Sequence, residues 1–255
     1  MKHLFRSAFS LLRSAIPAWT PPLVFALALS GCSVIAVQQT KRAPAVAPTP
    51  TAQPTPAPTP DHRIDRATSE PYTGDLSIFE APDRAEKLQI ERVMDVLGIR
   101  AGSGVADIGA GSGWFTVRAA RRAGERGTVY AVEINRDYLK HIEERAAREK
   151  LPNIKTVLGK EDDPLLPEKS VDAVLLLKTY HEIAQPVRLL SNLRRSLRAG
   201  ARVGIIDRNG KGDDHGADRA LVIKEAERAG YTLVEEHDFV KPDNMDYFLV
   251  FRARE

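Results

Sequence analysis

Three glycines at alternate positions constrain the fold of this chain more than any other feature. Gly109, Gly111 and Gly113 follow a short β-type run that carries Asp107, and an amphipathic helix is expected to begin at Trp114. Only a residue without Cβ lets the backbone turn this sharply and approach a ligand closely. Because the first N–H groups of a helix face polar or anionic ligand groups, the stretch predicts a nucleotide-type pocket. A tight turn without a ligand is the alternative.

The spacing of these glycines separates two kinds of nucleotide pocket. A dinucleotide-binding turn needs Gly-x-Gly-x-x-Gly, but the third position counted from Gly109 and Gly111 is Trp114. The stretch resembles motif I of the class I S-adenosylmethionine (SAM) dependent methyltransferases instead. This resemblance implies SAM as the cofactor, bound by Asp107, Gly109, Ala110, Gly111 and Gly113.

Acidic residues after the next two expected strands extend the resemblance. Glu133 closes an expected strand about 20 residues past the glycines, where a carboxylate can accept hydrogen bonds from ribose hydroxyls. A solvated loop charge is the alternative for Glu133. After the third strand, the segment from Gly159 resembles the one whose acidic residue meets the adenine amino group. The family has Asp directly after this Gly, whereas this chain has Lys160, so Glu161 or Asp162 is expected to make the contact.

The segment after the fourth expected strand contains the candidate for acid–base chemistry. The resemblance places Lys178 among the cofactor residues, beside the methionine part, but small-molecule methyltransferases often have Asn or Asp there, so the lysine departs from the family pattern. Methyl transfer needs a general base only when an oxygen or nitrogen nucleophile must lose a proton. His181 is the candidate base, with Glu182 or Tyr180 as its orienting neighbour. The alternative is that His181 caps the following helix or fills the cleft wall.

Alternating strand and helix signals predict a doubly wound α/β domain over residues 61–255, with a parallel sheet and right-handed crossovers. Its first helix is expected to start in a capping-box-like sequence at Asp83 and to run to Leu97. The last two strands, 232–239 and 247–252, are expected to form a hairpin. The resemblance implies a seven-stranded, mostly parallel, Rossmann-like methyltransferase sheet with this hairpin antiparallel. The chain is similar to the quinone-biosynthesis type branch of small-molecule methyltransferases.

A lid is one interpretation of the apolar side chains before the first helix. Tyr72, Ile78 and Phe79 could cover the cofactor, or they could be ordinary core residues. Both interpretations stay open at the level of sequence.

The first 32 residues have the pattern of a secretory signal. A basic start precedes a short apolar run from Leu23, too short to span a membrane. The run ends in Leu29-Ser-Gly-Cys32, which resembles the lipobox of bacterial lipoproteins, whose cysteine is lipidated and becomes the new N-terminus. We therefore expect a signal peptide over 1–32 and a membrane anchor at Cys32, the one cysteine of the chain. An ordinary signal peptide or a buried thiol is the alternative.

Residues 33–60 predict a tether between this anchor and the domain. They are rich in Ala, Pro and Thr, so they cannot bury apolar surface and are expected to be extended and disordered. At roughly 3.1 Å per residue such a stalk reaches at most about 85 Å. Ser33, rather than Asp, follows the cysteine, a pattern associated with the outer membrane. The domain is therefore expected in the cell envelope, on the periplasmic side of the outer membrane.

The charge balance argues against a nucleic-acid partner. Three of the 37 basic side chains lie in residues 1–32, so the remaining chain has 34 basic against 34 acidic residues. A nucleic-acid footprint needs a basic surplus on one face. The leading hypothesis is a SAM-dependent methyltransferase with a small-molecule or lipid-like acceptor. A non-catalytic envelope module that keeps the fold is the second, favoured by Lys178; the glycine spacing disfavours an NAD-dependent oxidoreductase.

Overall fold

The computed structural model describes residues 66–254. The expected signal peptide (1–32), the lipidation site at Cys32 and the tether (33–60) lie outside the described residues. No helix within residues 66–254 is both long and apolar enough to cross a membrane.

A single mixed sheet forms the centre of the domain. In the described part of the chain it has seven strands, in the order β3–β2–β1–β4–β5–β7–β6. The strands are β1 (Gly104–Ile108), β2 (Thr128–Glu133), β3 (Ile154–Leu158), β4 (Val171–Leu177), β5 (Leu197–Asp207), β6 (Tyr231–His237) and β7 (Tyr247–Ala253). Strands β1 to β5 are parallel, and β7 pairs antiparallel with both β5 and β6. The predicted fold class and the antiparallel hairpin are therefore confirmed.

Helices cover both faces of the sheet. Those of the described residues are α1 (Arg84–Lys87), α2 (Ile90–Val96), α3 (Trp114–Ala123), α4 (Arg136–Arg148), α5 (Pro186–Leu193) and α6 (Arg219–Arg228). Because successive strand residues point to opposite faces, Ala106 and Ile108 pack in the core with α5 and α6, whereas Val105 packs with α2 and α3. Strand β1 is consequently buried along its whole length, as expected for a central parallel strand.

The first helix differs from its prediction. Asp83 has helical dihedral angles and makes no side-chain cap, and its carboxylate pairs with Lys87 at 2.6 Å instead. The helix is also interrupted at Gln89, whose φ of 52° is left-handed. A tertiary contact accompanies this break, because the Gln89 amide donates to the Phe239 carbonyl at 3.0 Å. The predicted single helix from Asp83 to Leu97 was therefore wrong, since a contact distant in sequence competes with the local pattern.

Candidate active site

A cavity of about 710 Å³ opens beyond the carboxyl ends of β1, β2 and β4. It lies where the strand order changes direction between β1 and β4, the usual ligand position in a doubly wound sheet. Its volume is within the range of roughly 300–1,000 Å³ that is typical of small-molecule sites. The walls come from the glycine turn, the end of β2, the segments after β4 and β5, and residues 68–79. The cavity therefore brings most of the predicted cofactor residues and the candidate base together.

The glycine turn forms one wall through its backbone. Gly109, Gly111 and Gly113 all have positive φ, between 52° and 74°. A Cβ on Gly109 would lie 2.3 Å from Thr179 Oγ1, whereas one on Gly111 would meet only Phe79, at 3.6 Å. Glycine is thus required at position 109 by both the dihedral angle and the close approach of the β4 segment. Gly109, Ala110 and Gly111 line the cavity.

Glu133 is fixed by backbone amides. Its Oε2 accepts from the N–H of Gly111 at 3.0 Å, and its Oε1 accepts from Ile134 and Asn135 at 2.8 and 3.1 Å. A carboxylate offers about four acceptor sites, so one remains for a donor in the cavity that Glu133 lines. This arrangement ties the end of β2 to the glycine turn and suits a ribose hydroxyl.

Asp107 is a buried carboxyl group at the end of β1. Its exposed fraction is 2%, and it accepts a hydrogen bond from Thr116 Oγ1 at 2.6 Å. Burial raises its pKa to about 7; the Thr116 bond opposes this shift and the Glu133 charge adds to it. Asp107 lines the cavity and is consequently poised to change charge near neutral pH.

The other predicted cofactor residues divide into two groups. Glu161 and Lys178 line the cavity, and Lys178 has a left-handed φ of 54° at the end of β4. Asp162 and Gly113 are not among the described lining residues. The Asp162 carboxylate instead pairs with Arg188 at 3.0 Å. Gly113 is the N-cap of α3, where a Cβ would lie 3.1 Å from Ile142 of α4, so its position serves helix packing.

His181 forms a buried pair with Asp207, the last residue of β5. Its Nδ1 lies 2.9 and 3.0 Å from the two carboxylate oxygens, and its backbone N–H donates to Oδ2 at 3.1 Å. The exposed fractions of the two side chains are 2% and 0%. The opposite nitrogen, Nε2, is 3.9 Å from Glu182 Oε1, and both His181 and Glu182 line the cavity. This is the geometry in which an aspartate orients an imidazole for proton transfer.

Asp207, rather than Tyr180 or Glu182, is therefore the residue that orients His181. The Tyr180 hydroxyl donates to Glu225 at 2.9 Å, so it is engaged elsewhere. Sequence reasoning missed Asp207 as a partner, although Leu177 pairs with Ile206 in the β4–β5 register. That register puts the residues following both strands at the same edge, which is a signal a strand-pairing prediction could have used.

Two further titratable groups adjoin this pair. Burial raises the pKa of Glu182 to about 7, against the opposing effect of His181. The His215 ring lies edge-on to the His181 ring, with centroids 5.8 Å apart. Among the described residues no cluster of three or more His, Cys, Asp or Glu side chains could hold a metal ion.

Residues 72–80 cross the cavity on its cofactor side. Tyr72 and Phe79 are half-buried and pack edge-to-face at 5.4 Å, while Ile78 is 57% exposed. All three line the cavity and none belongs to a buried core cluster. Glu80 secures the segment by accepting from Ser112 Oγ at 2.7 Å and from Arg145. Of the two interpretations left open by the sequence, this position matches a cover over the glycine turn.

The cavity residues fit SAM by their chemistry. The open turn at Gly111 admits a ligand close to the backbone, and Glu133 retains an acceptor site for a ribose hydroxyl. SAM carries two cationic groups, an ammonium and a sulfonium. The carboxyl groups of Asp107 and Glu182 face the same cavity and complement such charges.

Part of this chain is similar to known methyltransferases. Residues 105–200 match a family described as a methyltransferase domain. A ubiquinone/menaquinone biosynthesis C-methyltransferase of Marinomonas sp. is 27% identical over 111 residues, which are 43% of this chain and 44% of that protein. A 2-phytyl-1,4-naphtoquinone methyltransferase of Trichormus variabilis is 31% identical over 111 residues, with 43% and 48% covered. An uncharacterized methyltransferase of Mycobacterium bovis is 34% identical over 102 residues, with 40% and 38% covered.

A solved structure extends the likeness to the whole fold. A SAM-dependent methyltransferase from Aquifex aeolicus superposes with a TM-score of 0.64 at 23% identity, covering 70% of this chain and 98% of that one. The chain spans less than half the length of the curated relatives it matches. Residues 105–200 are therefore similar to a methyltransferase domain, the described chain shares the fold of a SAM-dependent methyltransferase, and both findings imply SAM as the cofactor.

Proposed function

We propose that this protein transfers the SAM methyl group to an ionisable hydroxyl of an apolar small-molecule or lipid-like acceptor. The observation that carries the proposal is the His181–Asp207 pair at the cavity wall, with Nδ1 on the carboxylate and Nε2 opposite it. A hydroxyl acceptor must lose its proton as the oxygen is methylated, and an imidazole oriented by a carboxylate can accept that proton.

The chain supplies proton transfer, orientation and exclusion of water. SAM, when bound, supplies a methyl group that its sulfonium already activates. His181 Nε2 takes the proton of the acceptor hydroxyl as that oxygen forms its bond to the methyl carbon and the carbon–sulfur bond breaks. Asp207 holds the imidazole in the Nδ1–H tautomer and stabilises the imidazolium that results. S-adenosylhomocysteine and the methyl ether are the products.

The walls of the acceptor end favour an apolar body on the substrate. Ile183, Ala184 and Leu189, which follow His181 and Glu182 in the chain, line the cavity. Apolar walls keep water from the reacting atoms and bind aromatic or aliphatic groups by burial. Two of the relatives are named as quinone methyltransferases, which supports an acceptor of comparable shape and polarity.

Binding followed by turnover tests the proposal. Calorimetry on the full-length protein should give micromolar affinity for SAM and S-adenosylhomocysteine and none for NAD. Radiolabelled SAM should then label an ether product in a quinone and phenolic lipid extract. Binding without any labelled product would favour the non-catalytic module. Absence of SAM binding at millimolar concentration would refute the proposal altogether.

We propose further that the domain is held in the bacterial envelope by a lipid at Cys32. The support is the lipobox-like Leu29-Ser-Gly-Cys32 followed by a proline-rich stretch. In a bacterial host, Cys32→Ala should abolish labelling by a fatty-acid analogue, whereas Gln39→Ala, in the expected tether, should leave it unchanged. Ser33→Asp should move the protein from outer- to inner-membrane fractions. Persistent labelling of the Cys32 variant would contradict the anchor.

A further inference from the structure

The N-terminal residues of the described chain lie against the turn that carries His181. Arg66 Nη2 donates to the Tyr180 carbonyl at 3.1 Å, and Nη1 donates to the His181 carbonyl at 3.5 Å. The backbone N–H of Ser69 also donates to the His181 carbonyl, at 3.1 Å. Asp207 holds the N–H and ring of the same residue from the other side. His181 is therefore fixed between two segments that are remote from each other in sequence.

Arg66 is held in place by a buried charge pair. Its side chain and that of Glu225 are each 2% exposed, with Arg66 Nε 3.6 Å from Glu225 Oε1. Neither of these two atoms has a hydrogen-bond partner. The guanidinium also lies 5.3 Å from the centroid of the Tyr180 ring, whose hydroxyl donates to Glu225.

The Arg66–Glu225 pair is not expected to add much to the free energy of unfolding by itself. Desolvation of a buried pair often exceeds its Coulombic gain, and an apolar pair of similar volume is frequently as stable or more so. An apolar residue at position 66 could not donate to the carbonyls of Tyr180 and His181, whereas a guanidinium offers five donors in a rigid fork. The contribution that an apolar residue could not make at position 66 is therefore the pair of hydrogen bonds to the turn that carries His181.

The same segment ties a second loop to this turn. Ser69 Oγ donates to the Gly212 carbonyl at 2.6 Å and accepts from the His215 N–H at 3.2 Å. A Cβ on Gly212 would lie 1.6 Å from the Ala67 carbonyl oxygen, so the contact requires glycine. Residues 66–69 thus connect the loop after β5, including His215, to the turn after β4.

We infer that Arg66 is a positioning residue for His181. It fixes the peptide units of Tyr180 and His181, so that Nδ1 stays on Asp207 and Nε2 stays at the cavity. Arg66 lies outside residues 105–200, the part matched by the methyltransferase family, so the shared domain alone would lack this support. The inference rests on the proposed role of His181 as the base.

The test compares the tautomer of the His181 imidazole between variants of the full-length protein. Arg66→Met combined with Glu225→Gln removes the charges and the two carbonyl contacts but keeps an acceptor for the Tyr180 hydroxyl. Tyr180→Phe is the matched control, because it disturbs the same cluster and leaves the Arg66 contacts in place. Histidine ¹⁵N NMR, with His181 assigned by His181→Gln, reports the tautomer and its pH titration.

Wild type and Tyr180→Phe are expected to show a single Nδ1–H tautomer. The Arg66→Met/Glu225→Gln variant is expected to lose it, with a change of roughly tenfold in the tautomer ratio. Its affinity for S-adenosylhomocysteine should stay within about twofold of wild type, because the glycine turn and Glu133 are untouched. A wild-type tautomer in this folded variant would overturn the inference.

Arg66→Lys keeps the test decisive if the double variant does not fold. A lysine retains the positive charge beside Glu225, but its single ammonium lacks the fork that reaches both carbonyls. The same tautomer change would support the inference, and an unchanged tautomer would refute it. Failure of the proposed function would look different, because wild type would then show an ordered His181 without SAM binding or turnover.

Discussion

The two ends of the cavity are built in different ways. Asp107, the glycine turn and Glu133 belong to one strand–turn–helix–strand unit, and backbone amides fix its geometry. His181 and Asp207 at the acceptor end come from separate segments and are fixed by side-chain contacts, with Arg66 supplying a buried charge. The cofactor end is therefore built from residues that are close together in the sequence, whereas the acceptor end depends on contacts between segments that are far apart in it. Substitutions at the two ends should therefore change different measured quantities.

The largest expected effect tests the acceptor end. His181→Gln should lower the rate of methyl transfer by about 10²–10⁴, the usual contribution of a general base, and leave SAM affinity within about twofold. Asp207→Asn should act in the same direction because it favours the wrong imidazole tautomer. The measurement is transfer of radiolabel to whichever extract component the wild-type protein methylates.

His141→Gln is the control for this experiment, since His141 lies on α4 and is not among the described residues that line the cavity. It should match wild type in both quantities. If His181→Gln weakened SAM binding as much as it slowed transfer, the division between the two ends would be wrong.

The next effect tests the cofactor end. Gly109→Ala should weaken SAM binding by about 30- to 100-fold, because a Cβ 2.3 Å from Thr179 Oγ1 must displace that segment, a change of about 2–3 kcal/mol. Gly98→Ala is the matched control, since Gly98 has nearly the same φ but no atom within 4 Å of the added Cβ. It should lower the free energy of unfolding by about 1–2 kcal/mol without changing SAM affinity. Calorimetry measures the SAM affinity, and denaturant melts measure the free energy of unfolding. Equal effects of the two variants on SAM affinity would contradict the steric argument.

A smaller effect concerns pH. Because burial raises the pKa of Asp107 to about 7, this group is mostly neutral at pH 6 and mostly ionised at pH 8. A cationic ligand prefers the ionised form, so SAM affinity should increase by up to about tenfold over this interval. In Asp107→Asn the increase should shrink to whatever the ligand's own titration contributes. A wild-type profile identical to that of the variant would exclude Asp107 from the cofactor end.

The same carboxyl group should affect stability in the opposite direction. Its pKa in the folded state is raised above the unfolded value, so the folded state binds the proton more tightly. The free energy of unfolding should therefore decrease as pH rises from about 4 to about 7, and Asp107→Asn should remove this part of the dependence. Urea melts across that pH range provide the measurement.

The smallest effect concerns the cover over the glycine turn. Glu80→Gln weakens the contacts to Ser112 and Arg145, a partly exposed ion pair worth about 0.2–1 kcal/mol. SAM affinity should fall by about two- to fivefold. Arg198→Ala breaks the partly exposed Arg198–Asp172 pair, which does not line the cavity, and should leave affinity unchanged. Equal losses in both variants would indicate that general stability, not the cover, controls binding.

Local sequence patterns were sufficient to predict the strands of the sheet and most residues of the cofactor end. The start of α3 at Trp114 and the end of β2 at Glu133 agree with expectation, because buried strands and glycine turns are encoded by neighbouring residues. The same holds for Asp107 and Glu133, whose positions at strand ends follow from the pattern alone. Three positions differ from expectation. The helix is interrupted at Gln89. Gly113 packs against Ile142 of α4 and Asp162 pairs with Arg188, so neither lines the cavity.

The acceptor end, in contrast, depends on contacts between segments that are far apart in the chain. His181 was a candidate from its position after β4, but its partner Asp207 and the support from Arg66 come from elements far along the chain. No local pattern encodes which strand ends meet or which charge is buried beside which carbonyl. Those relations depend on strand order and on the packing of residues 66–69 against the core, which exist only once the chain has folded.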